Sequence, residues 1–160
     1  MTEHIDFLQL RDFAVSTATR AAELIAARRA ELVAGDGIAA HTSTKSSDVD
    51  PVTEVDTATE EFIATTIRTQ RPGDGIFGEE GANVESTSGV TWIVDPIDGT
   101  VNFLYGVPDF AVSIGAEYQG RLVAGAVVNV ARGRTYAAAA GQGATVTGPD
   151  GKVHPLQCAH

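Results

Sequence analysis

IVDPIDGTVNF, running from Ile93 to Phe103, drives an apolar segment straight into Asp95 and sets a second carboxylate, Asp98, just past a proline. The stretch that contains its start, VTWIVDP from Val90 to Pro96, is rich in β-branched and aromatic residues. Such a run predicts a strand covered on both faces and ended by Pro96. Gly99 then opens a short predicted helix that reaches Tyr105. Two carboxylates at the end of a buried strand are costly to hold unless cations compensate them. Oxygen donors without sulfur favour hard ions such as Mg²⁺ or Mn²⁺. The turn aims the Ile97 carbonyl, another hard donor, in a similar direction. At Gly99 and Thr100 the first helical N–H groups have no internal partners, and the helix dipole favours an anion there. Metal ions beside a helix N-terminus make a phosphate site, and two of them can clamp a phosphoryl group, activate water and stabilise the leaving oxygen. An Asp-x-x-Asp turn by itself is more commonly a plain turn or helix cap.

Upstream, Ile5, Leu8, Phe13, Leu24, Ile25, Leu32 and Val33 recur among alanines, which predicts a helix over 5–33 ended by Gly35 and Gly37. The polar stretch His41 to Pro51 reads as a loop. A second helix is expected from Thr53, with Thr53 and Asp56 in a capping-box arrangement and Val55, Phe62, Ile63 and Ile67 on one face. Pro72-Gly73 stops it. GIFGEEG, Gly75 to Gly81, is a short strand running into acids, so Glu79 joins the aspartates if the two strands are neighbours. NVESTSG reads as a surface loop. Beyond Ala111, AVSIGAEY, RLVAGAVVNVA and RTYAAAAGQ read as successive strands turning at Gln119-Gly120 and Arg132-Gly133, followed by a hairpin with its turn at PDG. The predicted class is α+β: two long helices packed on a mainly antiparallel sheet.

The chain has 160 residues, 43% of them hydrophobic, enough for one domain with a sizeable core. Its net charge of −10 argues against nucleic acid and anionic membranes as direct partners, because both need basic patches. An anionic substrate stays compatible if cations lie between it and the protein. Cys158 is the single cysteine, so no internal disulfide can form and a reducing compartment is expected. MTEHIDFLQL lacks a basic leader pattern, and no apolar run approaches the ~18 residues of a membrane span. His4, His41, His154 and His160 show no metal-ligand spacing.

Three stretches together are far more specific: DPVTEVDTATEEFI from Asp50 to Ile63, GEEG from Gly78 to Gly81, and WIVDPIDGTVNFLYGVPDFAVSIG from Trp92 to Gly115. In kind, order and spacing they resemble the inositol monophosphatase family of Mg²⁺-dependent, lithium-sensitive phosphatases, over essentially the whole chain. The resemblance implies a layered α/β fold and two or three Mg²⁺ ions. Glu79, Asp95 and the Ile97 carbonyl would bind one ion, Asp95 and Asp98 a second, and Glu79 would help hold a third with its water. Asp98, Gly99 and Thr100 would face the phosphate. Thr100, hydrogen-bonded to Asp56, would position or deprotonate the attacking water for direct in-line displacement. Lys45 lies where the family has a mobile loop over its site. Without the resemblance, Asp56 reads as a first-turn helix acid, Thr100 as a helix cap, Glu80 as a solvated neighbour and Trp92 as core.

The family pattern also has a downstream Trp-Asp-x-Ala-Ala-Gly-type motif whose Asp completes the second metal site, and no such motif occurs before His160. Residues 1–160 are therefore expected to be the N-terminal α+β metal- and phosphate-binding portion of a longer enzyme, with one sheet face left uncovered. The tail Asn102 to Gly115 looks most like the inositol monophosphatase branch. The expected reaction is hydrolysis of inositol 1-phosphate in the cytoplasm by a homodimer. Histidinol-phosphate or fructose-1,6-bisphosphate phosphatase activity is an alternative. So is a non-catalytic protein-binding role in transcription or ribosome assembly.

Overall fold

A computed structural model describes residues 4–35 and 50–159. Helix α1 spans Phe7–Ala34; Asp6 starts it by accepting from the Leu8 N–H at 2.9 Å. The Gly35 N–H closes its far end on the Glu31 carbonyl. Helix α2 spans Pro51–Gln70, three residues earlier than a Thr53 cap predicts. Asp50 is its N-cap, accepting from Val52 N–H at 3.0 Å, and Pro51 fills the first helical position, where its missing N–H costs nothing. The Thr53–Asp56 capping box is thus not formed. Asp56 falls in the helix body and is only 5% exposed. The expected loop 41–51 lies outside the described residues up to position 49, and Lys45 with it.

Eight strands follow the helices: β1 (Gly75–Gly78), β2 (Asn83–Val84), β3 (Val90–Asp98), β4 (Ala111–Tyr118), β5 (Arg121–Asn129), β6 (Arg134–Ala139), β7 (Ala144–Thr147) and β8 (Val153–Leu156). Helix α3, Thr100–Tyr105, sits between β3 and β4. The strands form one sheet in the order β2-β1-β3-β4-β5-β6-β7-β8. Every pair is antiparallel except β1 with β3. The mainly antiparallel α+β reading holds. The stretch expected to be loop after Gly81 contributes the two-residue edge strand β2.

The core lies between the helices and one face of the sheet. Val90, Trp92 and Val94 of β3 and Val112, Ile114 and Ala116 of β4 are buried there. Opposite them are Ala14, Ala18, Ala21 and Ile25 of α1 and Ile63 and Ile67 of α2. Alanines let a helix backbone approach the sheet closely, so a stripe of small residues serves as a packing face. The other face is open among the described residues: Phe77 is 61% exposed and its register partner Ile93 36%. The unbroken apolar run of β3 therefore does not mean cover on both faces, because both long helices pack on the same side.

Trp92 is core, as its sequence setting predicts, and it is tied to a buried acid. Asp74 accepts from Trp92 Nε1 at 2.8 Å and Ser88 Oγ at 2.6 Å, and pairs with Arg71, whose guanidinium lies over the Phe13 and Trp92 rings. No helix among the described residues is long and apolar enough to cross a membrane. Replacing Asp74 with Ala leaves the indole N–H and the Ser88 hydroxyl without their acceptor. Asp74→Ala is expected to lower unfolding free energy by about 3 kcal/mol, read as a shifted urea midpoint with unchanged slope.

Candidate metal and phosphate site

The site is built where β3 leaves the sheet. Asp95 pairs with Ser113 and Asp98 with Ala111, so β3 spends one residue more than β4 over this span. That β-bulge resolves the question of what Pro96 does: the strand is not ended there but shifted in phase. Before the shift the even positions Val90, Trp92 and Val94 are buried; after it Ile97 is buried at 2% and Asp98 is exposed. Three residues apart on a regular strand, Asp95 and Asp98 would point to opposite faces. The extra residue returns Asp98 to the side of Asp95.

Gly99 follows with φ 89°, a left-handed conformation that a side chain would strain. An added Cβ would also meet the Asp109 carbonyl at 2.9 Å. Its glycine is thus required by the turn itself, apart from any ligand. Asn102 donates from Nδ2 to the same carbonyl at 2.7 Å, and Phe103 is fully buried, so both fix α3.

Glu79 arrives from β1. The parallel register sets Gly78 beside Val94, and the Glu79 N–H donates to the Val94 carbonyl at 3.2 Å. The next residue on each strand is therefore Glu79 and Asp95, side by side. Burial, then the hydrogen bond and charge of Glu79 and the charge of Asp98, push the Asp95 carboxyl up to about 7; hydrogen bonding from the Ile97 backbone pulls the other way. Asp56, on α2, joins from a different element. Burial pushes it up to about 7 as well, aided by the charges of Glu80, Asp95, Glu79 and Glu60. Glu80 is raised by burial and by Glu60 and Glu79.

No ion pair among the described residues uses any of these acids. Asp95 Oδ1, Asp56 Oδ1 and Thr59 Oγ1 are buried without a hydrogen-bond partner. The hydrogen bond expected between Thr100 and Asp56 is not formed among the described residues, although α3 packs against α2. Nor do any three His, Cys, Asp or Glu side chains among them stand as a ready-made cage. The donors converge without closing. Hard, partly orphaned carboxylate oxygens with no Lys or Arg among the described residues paired to them could hold a hard divalent cation.

Residues 6–159 match the inositol monophosphatase family. The chain belongs to that family. An inositol-1-monophosphatase of Mycobacterium bovis is 50% identical over 159 residues, which cover 94% of this chain and 54% of the relative. Among solved structures, Mycobacterium tuberculosis SuhB superposes with a TM-score of 0.80 at 43% identity, covering 98% of this chain and 54% of that one. SaIMPase-II with inositol monophosphate bound superposes with a TM-score of 0.70 at 33% identity, covering 96% and 51%. This inositol monophosphatase family chain thus spans about half the length of the relatives it matches.

Two acids escaped the sequence reading. Glu60 is 3% exposed and Asp74 6%. Glu60 carried a signal: it sits four positions after Asp56, on the face that also carries Ile63 and Ile67. Asp74 carried none.

With folded-state values near 7, Asp56 and Asp95 hold protons that the unfolded chain releases near pH 4. The folded state then binds more protons, so their contribution to stability is full below about pH 4 and is lost as pH rises through about 7. The ion-free chain is expected to unfold at lower urea at pH 8 than at pH 5. Asp56→Asn should flatten that slope; an unchanged slope would place Asp56 outside the cluster.

Proposed function

We propose that this chain carries the metal- and phosphate-binding part of a Mg²⁺-dependent phosphatase for small phosphate monoesters, with inositol 1-phosphate as the principal substrate. The observation that carries the reading is the parallel register of β1 on β3, which sets Glu79 beside Asp95. Family membership and the inositol-1-monophosphatase named among its relatives support the substrate.

Glu79, Asp95 and the Ile97 carbonyl hold one ion in this reading, Asp95 and Asp98 hold a second, and Glu79 contributes to a third. When bound, the ions supply the positive charge that polarises the phosphoryl group and lowers the pKa of the attacking water. The chain's own groups do the rest. Asp98 and the Gly99 and Thr100 N–H groups orient the phosphate. Asp56 lies within electrostatic reach of Asp95 and Glu79, where its carboxylate can accept a proton. Its orphaned Oδ1 is free to take the Thr100 hydroxyl or the attacking water. Water then attacks phosphorus in line, forming one P–O bond as the P–O bond to the inositol oxygen breaks; the alcohol leaves with a proton from solvent, and no covalent enzyme intermediate forms. The family's further metal-binding Asp is assigned to sequence outside these 160 residues, and the working enzyme to a cytoplasmic homodimer.

Phosphate release by the full-length enzyme should require Mg²⁺ and be fastest with inositol 1-phosphate when that substrate is compared with histidinol phosphate and fructose 1,6-bisphosphate. Asp95→Asn is expected to lower kcat/KM at least about a hundredfold, since it removes a donor shared by two ions. Release that ignores Mg²⁺, or survives the substitution, would overturn the proposal.

A further inference from the structure

Glu60 is buried in α2, yet its carboxylate reaches out of the helix to another segment. Its Oε1 accepts from the Glu80 N–H at 2.9 Å and its Oε2 from the Ala82 N–H at 3.0 Å. Both oxygens are thereby spent on the turn that follows β1. That turn is otherwise closed by the Gly78 N–H on the Ala82 carbonyl at 2.8 Å. The backbone of Glu79 is held on both sides. Its own N–H is bound to Val94 of β3, and the N–H of the next residue is bound to Glu60. Gly78 belongs to the same arrangement, because a Cβ there would come within 2.4 Å of Glu60 Oε1.

The choice of residue is telling on energetic grounds. A negative charge at Glu60 helps push up both Asp56 and Glu80, so it works against the cluster when no cation is present. Glutamine would remove that repulsion. It offers one acceptor oxygen and an NH₂ donor, however, and cannot accept two backbone N–H groups with two different oxygens. Only a carboxylate satisfies both ends of this turn, so geometry has prevailed over local charge balance.

We infer that Glu60 is a positioning residue: it locks the turn from Glu79 to Ala82 and so holds the Glu79 carboxylate opposite Asp95 for ion binding. The inference rests on the ion-binding reading proposed above. It is tested with Mn²⁺ as the probe, titrated into the full-length enzyme without substrate and followed by the EPR signal of the free ion. Glu60→Gln is expected to weaken Mn²⁺ binding about tenfold or more and to speed amide hydrogen exchange at Glu80 and Ala82. Asp74→Asn, which loosens the buried cluster around Trp92, controls for plain destabilisation and should keep Mn²⁺ affinity within about twofold. Should Glu60→Gln fail to fold, Gly78→Ala displaces the same carboxylate sterically and is expected to weaken Mn²⁺ in the same way. Unchanged affinity in the Glu60 variant, or an equal loss in Asp74→Asn, overturns the positioning role alone. Failure of the unsubstituted full-length enzyme to bind Mn²⁺ overturns the ion-binding reading, and the inference with it.

Discussion

The repulsion among Glu79, Asp95, Asp98 and Asp56 is the constraint around which the rest of this structure is arranged. No ion pair among the described residues relieves it; burial first, and this repulsion after it, push the Asp56 and Asp95 carboxyls up to about 7 in the ion-free chain. Protons are one way to neutralise such a cluster; divalent cations are the other. A fold that neutralised its charges internally would have no use for either. This one collects acids from β3, α2 and the turn after β1, and leaves buried oxygens unpartnered.

Helix α2 joins two tasks that look unrelated in the chain. Asp56 faces the acid cluster, and Glu60, one turn later, pins the turn that delivers Glu79. The same helix buries Ile63 and Ile67 against the sheet, so its docking is set by apolar packing far stronger than any of these polar contacts. Rigidity at the site is thereby borrowed from the core. The β-bulge in β3 acts likewise: Ile97 is buried at 2%, and the phase shift that buries it also turns Asp98 toward Asp95.

What was legible in the chain was legible because it is local. The two long helices, the strands from Ala111 onward and their turns follow from periodicity and turn chemistry. The misreadings have local causes too. A capping-box pattern at Thr53 competed with Asp50-Pro51, and the latter prevailed because a proline suits only the first helical turn. Pro96 read as a strand end because a proline removes a ladder N–H, but a bulge accommodates one without ending the pairing. An apolar run read as doubly covered became a strand with one open face, because the number of layers is not written in one strand.

By itself the sequence determined the local chemistry: carboxylate oxygens, a glycine turn and a helix start strung along Asp95 to Thr100. The tertiary structure decided which distant acids join them. Backbone pairing carries no label for its partner strand, so nothing in GIFGEEG states that it lies parallel to β3 with Gly78 opposite Val94. Side-chain reach is equally silent in one dimension: Glu60 and Ala82 are 22 positions apart and meet only because packing has brought α2 and β1 together.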